Sequence, residues 1–152
     1  MDVGKAVAGL AKNAGKCQDY FGSGKFKQGA LPIIAVPTTS GTGSEVTPYA
    51  VIIDEKTGTK KSIADRFIFP TVAVLDPELT VTLPPQYTAY TGLDALSQAM
   101  EGFVSVNNTA IGDVLSLEAC RQVKRWLPQA ISNGSDLNAR SQMMYAATLS
   151  GC

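Results

Sequence analysis

Leu31-Pro32-Ile33-Ile34-Ala35-Val36-Pro37-Thr38-Thr39-Ser40-Gly41-Thr42-Gly43-Ser44-Glu45 joins an apolar run to a loop of small residues. The run is short, branched and bounded by prolines, which predicts a buried strand with Pro32 at its first position. The loop after it carries five hydroxyls and two glycines. Its backbone N–H groups, with little side-chain bulk around them, can approach a phosphate or ribose closely. Loops rich in Ser, Thr and Gly also serve as plain connectors, so on composition alone both readings stand.

Working outward from this stretch, the N-terminal segment places Val3, Val7, Leu10 and Ala14 at helical spacing, with Ala6 and Ala11 beside them, and Gly15 is its expected stop. A basic, glycine-marked loop follows, with Gly22, Gly24 and Gly29 around Lys25 and Lys27. On the other side, Val46 to Asp54 and Lys61 to Ala64 flank Glu55-Lys56-Thr57-Gly58-Thr59, which reads as a β-hairpin turning near Gly58. Thr71-Val72-Ala73-Val74-Leu75 predicts a second buried strand, closed by Asp76-Pro77.

Beyond Pro84-Pro85 the period becomes helical. Leu93, Leu96, Met100 and Phe103 form one apolar stripe, with Asp94, Gln98 and Glu101 on another face. A second helix is expected from about Ala110 to Leu127, stopped by Pro128, with Ile111, Val114, Leu115, Val123 and Trp126 as core contacts. A third starts at the N-cap Ser135-Asp136 and carries Leu137, Met143, Met144, Ala147 and Leu149. The chain therefore divides into a mixed α/β part, residues 1–83, and an all-helical part, residues 84–152. Asp94 and Gln98, at i and i+4, have the spacing by which one helix gives two ligands to a metal. The residues alone favour a solvated or domain-facing polar stripe, since a neutral amide is a poor ligand for a transition metal.

Composition narrows the chemistry. The 152 residues hold 13 Lys+Arg, 13 Asp+Glu and no histidine. Imidazole bases, His-based triads and His-containing metal sites built within this chain are excluded. Zero formal net charge offers no long-range attraction for nucleic acid or an anionic membrane. Cys17, Cys120 and Cys152 lack CxxC spacing, which argues for a reducing compartment over a disulfide scaffold. No basic-then-apolar leader opens the chain, and no apolar run approaches the roughly 20 residues of a membrane span. A cytoplasmic protein is the expectation.

Pro37 to Thr47, then Asp76-Pro77-Glu78-Leu79, Leu83-Pro84-Pro85 and Thr91-Gly92-Leu93-Asp94-Ala95-Leu96 resemble, in order and spacing, the iron-containing (group III) alcohol dehydrogenase family. The opening Met1-Asp2-Val3-Gly4-Lys5-Ala6 is similar to the start of the helix after that family's glycine-rich phosphate loop. The resemblance implies the back part of a nucleotide-binding α/β domain followed by the first helices of a helical, metal-binding, dehydroquinate synthase-like domain. It implies NAD or NADP as cofactor, a divalent metal (Fe or Zn), and a small alcohol or aldehyde as substrate. Thr38, Thr39, Thr42 and Thr47 match threonines that line the dinucleotide, and Lys61 matches a lysine near it; Asp2 sits just after the glycine-rich loop's place. Asp94 matches the aspartate metal ligand, and Gln98 stands where the first histidine ligand would be. The remaining family features would precede Met1 or follow Cys152, so the resemblance implies an internal piece of a longer enzyme, inactive alone. Two alternatives stand beside it: a non-catalytic module that associates into a homo-oligomer, or a piece of a metal-independent reductase of the same superfamily.

Overall fold

The computed structural model describes residues 1–152. The elements in chain order are α1 (Asp2–Leu10), β1 (Gly22–Ser23), β2 (Ile34–Ala35), β3 (Tyr49–Asp54), β4 (Thr59–Ala64), β5 (Val72–Ala73), α2 (Pro85–Val104), α3 (Ala110–Ser132) and α4 (Leu137–Gly151), with four short 3-10 turns between them. An α/β portion thus precedes an all-helical one. The chain gathers into two compact units: residues 1–35 with 44–73, and residues 36–43 with 74–152.

In the first unit, β3 and β4 form the expected antiparallel hairpin, from Tyr49 opposite Ala64 to Asp54 opposite Thr59. Its turn is made by local chemistry. The Asp54 carbonyl accepts from the Thr57 and Gly58 amides at 3.2 and 2.8 Å, and Gly58 takes φ +66°, a left-handed value that favours glycine. β1 adds to β4 in parallel, while β2 and β5 make a separate two-stranded parallel pair. Ala6, Phe26, Ala50, Ile63 and Ile68 form the core of this unit.

Three expectations fail here. The strand read over Leu31–Val36 shrinks to two residues, of which only Ala35 is buried. The strand read over Thr71–Leu75 shrinks to Val72–Ala73, and both are exposed. An apolar parallel strand is covered only where further elements flank it, and here two residues pair with two. On α1, the helix ends at Leu10, Val3 and Val7 face solvent, and the buried face is Lys5, Ala6, Ala8 and Gly9. Gly9 is where α1 meets the Phe26 ring, leaving no room for a Cβ.

In the second unit, α2, α3 and α4 pack around Ala95, Val123, Leu127, Ala130, Ala139, Met143, Ala146 and Ala147, with a smaller cluster of Ala99, Ala119 and Leu149. Pro85 opens α2 at its first turn, and the Asp136 carboxylate caps α4 by accepting from the Ala139 amide at 3.0 Å, as read from the sequence. The packing faces differ from expectation. α2 buries Thr88, Gly92, Ala95 and Ala99, whereas Leu93, Met100 and Phe103 are exposed and Leu96 is half-buried. On α3, Val123 is buried and Leu115 and Trp126 pack partly, while Ile111 and Val114 are exposed. On α4 the expected Met143, Met144, Ala147 and Leu149 are buried and Leu137 is exposed, whereas α2 turns its small residues inward in place of its large ones. Gly92 lies against Leu127 and Met143, at a distance only a bare backbone permits. Pro128 does not stop α3, which runs on to Ser132. Proline removes one donor to the carbonyl four residues back; Pro128 and Lys124 are both exposed, so the loss falls on the solvent side. No helix is long and apolar enough to cross a membrane.

Candidate functional site

The residues singled out from the sequence fall in both units. In the second unit, residues 36–43 leave β2 and lie against the helices. A Cβ on Gly41 would sit 2.9 Å from the Thr91 Cβ and 3.0 Å from the Thr91 carbonyl oxygen. One on Gly43, at φ +57°, would sit 2.7 Å from the Ala147 carbonyl oxygen and 2.8 Å from Gly151 Cα. The bareness of these two glycines is therefore taken up by α2 and α4. Pro37, Ser40 and Gly41 are buried with them, while Thr38 and Thr42 are exposed and Thr39 is half-buried. The loop is held from behind and turns two of its threonines outward.

Thr91 belongs to α2, three residues before Asp94. Asp94 is exposed and Gln98 half-buried on the same helix. At i and i+4 they share a face, but their donor set is one carboxylate and one neutral amide. A tetrahedral zinc site takes four ligands, drawn from thiolate, imidazole and carboxylate. Nowhere does the chain assemble three or more His, Cys, Asp or Glu side chains that could hold an ion. The residues present do not fit a metal site by themselves.

In the first unit, Lys61 is exposed on β4, opposite Ile52. Thr47 follows the 3-10 turn Ser44–Val46, and its hydroxyl reaches the Ser44 carbonyl at 3.5 Å. What holds Thr47 was missed in the sequence. Lys5, on α1, is 1% exposed. Its ammonium donates to the Thr47 carbonyl at 2.8 Å, the Tyr49 carbonyl at 2.9 Å and the Thr47 hydroxyl at 3.2 Å. Asp2, one turn earlier, accepts from the Ser44 hydroxyl at 2.8 Å and from the Val51 amide at 2.9 Å. Burial lowers the Lys5 pKa, and the nearby charges of Asp2 and Glu45 oppose that shift. The signal available in the sequence was a lone cation among the small residues Ala6, Ala8 and Gly9, three residues after an aspartate. A separate cavity of about 680 Å³, lined by Phe26, Tyr49, Arg66, Phe67 and Phe69 among others, contains none of the residues singled out.

Residues 1–77 match the family described as iron-containing alcohol dehydrogenase, and residues 88–152 match the C-terminal part of the Fe-containing alcohol dehydrogenase family. The chain is 41% identical over 150 residues to the NAD-dependent methanol dehydrogenase of Bacillus methanolicus, covering 99% of this chain and 39% of that protein. It is 43% identical over 151 residues to the sulfoacetaldehyde reductase of Bilophila wadsworthia, with the same coverage of 99% and 39%. Among solved structures, sulfoacetaldehyde reductase from Bifidobacterium kashiwanohense in complex with NAD+ superposes with a TM-score of 0.93 at 44% identity, over 99% of this chain and 40% of that one. A 1,3-propanediol oxidoreductase superposes with a TM-score of 0.95 at 37% identity, over 99% and 39%. The chain spans about 39% of the length of the curated relatives it matches.

Proposed function

Because the chain belongs to the iron-containing alcohol dehydrogenase family, we propose that it serves NAD(P)-dependent interconversion of a small alcohol and its aldehyde, by contributing dinucleotide contacts. Thr38, Thr39, Thr42, Thr47 and Lys61 are the residues assigned to the dinucleotide. The observation that carries this reading is the seating of the 36–43 loop. Gly41 and Gly43 press it onto helix backbone, which fixes the positions of its hydroxyls before any ligand arrives. Threonine hydroxyls in such a loop can donate to phosphate and ribose oxygens, and the exposed Lys61 ammonium can meet a phosphate as a point charge. The nicotinamide, when bound, supplies the hydride chemistry. The chain's own part is to bind and orient it.

Asp94 and Gln98 complete no metal site, so the 152-residue chain is expected to bind NAD+ without turning over alcohol. Calorimetric titration with NAD+, repeated on Thr38→Val and on Thr42→Val, checks the first half. Each substitution is expected to weaken binding about 10-fold, the worth of roughly one hydrogen bond. Absence of binding by the unaltered chain would remove the dinucleotide reading. Steady NADH production from ethanol or 1,3-propanediol would remove the claim of inactivity.

Gln98 favours a second reading, in which the enzyme is a metal-independent reductase of the same superfamily. An amide at this position weakens any ligand pair with Asp94. Gln98→His restores imidazole at i+4 and is expected to bind Zn²⁺ measurably tighter than the unaltered chain. Equal, weak binding by both would show that this face of α2 is not a ligand pair, whatever the side chain.

A further inference from the structure

We infer that Lys5 is a positioning residue for the dinucleotide, acting through Thr47 and not by touching the ligand; this rests on the assignment of Thr47 made above. An ammonium has three donors. Those of Lys5 go to the Thr47 carbonyl, the Tyr49 carbonyl and the Thr47 hydroxyl, at 2.8, 2.9 and 3.2 Å. None remains for a phosphate, and the side chain is almost wholly buried. Lys5 thus differs from Lys61, which is exposed.

The geometry explains why a lysine is placed there. Between the turn Ser44–Val46 and the strand opening at Tyr49, the chain passes Thr47 and Pro48, and the carbonyls of Thr47 and Tyr49 both accept from the one side chain on α1. A single buried cation thus serves two main-chain acceptors of this segment. Because the same cation bonds the Thr47 hydroxyl, the hydroxyl's hydrogen is turned away from Lys5. It points to the Ser44 carbonyl, or to a ligand oxygen that replaces it. Asp2 grips the flanks of the same segment at Ser44 and Val51, so one turn of α1 holds residues 44–51 at both ends and in the middle.

The test is a double-mutant cycle in the 152-residue chain, with Lys5→Met, Thr47→Val and the pair together. NAD+ affinity is measured at a temperature where circular dichroism shows each variant folded, and amide exchange is followed at Thr47 and Val51. Each single variant is expected to bind about 10-fold more weakly, the worth of roughly one hydrogen bond. The pair should bind no more weakly than the worse single variant, because both remove one arrangement. Lys5→Met should also speed exchange at both amides. Losses that multiply would overturn the route through Thr47, as would unchanged affinity and exchange in Lys5→Met. A neutral Thr47→Val would instead remove the assignment of Thr47. If the unaltered chain does not bind NAD+, the proposed function falls and exchange alone judges Lys5: unchanged rates overturn its positioning role. Should Lys5→Met not fold, Lys5→Arg keeps the charge and N–H donors on the side chain. It is then expected to fold and recover most of the affinity, and failure to do so overturns the inference.

Discussion

Gly43→Ala is expected to destabilise the protein by about 3 kcal/mol and to lift residues 36–43 off the helices. Two separate penalties combine at this position. The first is conformational. Gly43 has φ +57°, where an L side chain is strained by about 1 kcal/mol. The second is steric. The new Cβ would meet the Ala147 carbonyl oxygen at 2.7 Å, Gly151 Cα at 2.8 Å and the Gly151 nitrogen at 3.0 Å, all of them backbone of α4. A flexible side chain could swing away, but helix backbone cannot, so overpacking adds about 2 kcal/mol.

Two other glycines separate these terms. Gly24 at φ +64° and Gly58 at φ +66° share the conformation, yet nothing lies within 4 Å of a Cβ built on either. Gly24→Ala and Gly58→Ala should therefore lose only the conformational part, about 1 kcal/mol each. Thermal unfolding of the three variants checks the difference. If Gly43→Ala matched the other two, the loop would not be seated on α4 and its hydroxyls would not be fixed in advance. Weaker NAD+ binding is expected at Gly43 alone among the three, since that variant moves Thr38, Thr39 and Thr42.

The same distinction explains which features could be read from the sequence and which could not. Turns and caps were legible because their chemistry is local. Asp54 and Gly58 make the hairpin turn, and Asp136 caps α4, within a few residues of chain. The order of an α/β portion before a helical one was legible too, since it rests on a change of hydrophobic period. The face of α4 was legible in Met143, Met144, Ala147 and Leu149, but the buried faces of α1 and α2 were not. Periodicity favours the largest apolar side chains, and so selected Leu93, Met100 and Phe103 on α2, and Val3 and Val7 on α1. Helices that approach closely instead bury their smallest residues, here Gly92, Ala95 and Ala99, or Ala6, Ala8 and Gly9. Alanine and glycine carry too little hydrophobic signal to mark a face in advance. Lys5 and Arg140 were illegible for a related reason. A charged residue reads as surface, and only the fold reveals carbonyls from distant segments waiting for a buried donor.

Arg140→Met should lower stability by about 3 kcal/mol, or the melting temperature by about 10 °C, and act on the second unit alone. Arg140 is 2% exposed. Its guanidinium donates to the Gly134 carbonyl at 2.9 Å, the Thr88 hydroxyl at 2.7 Å and the Leu83 carbonyl at 3.1 Å. These acceptors lie on three segments: the turn before α4, the first turns of α2 and the residues that lead into it. All are neutral, so burial lowers the Arg140 pKa, though a guanidinium stays charged. An apolar replacement can be harmless where a whole buried charged group leaves together with its partners. Here a buried hydroxyl and two part-buried carbonyls lose the guanidinium, though the Leu83 carbonyl still accepts from the Thr88 hydroxyl at 3.5 Å; an acceptor left unsatisfied costs about 1–3 kcal/mol when buried and less where water reaches it. Relief of the guanidinium's own desolvation offsets part of that, which leaves the figure near 3. Arg140→Lys should fall between, because a single ammonium cannot span a fork that reaches three segments. Arg121→Met supplies the contrast. Arg121 is exposed and meets Glu118 at only 3.7 Å, so its loss should change stability by about 0.5 kcal/mol or less. Urea unfolding followed by far-UV circular dichroism compares the three. An Arg140→Met variant as stable as the Arg121→Met control would mean that water already satisfies Leu83 and Gly134, and that α2 and α4 are joined by their apolar contacts alone.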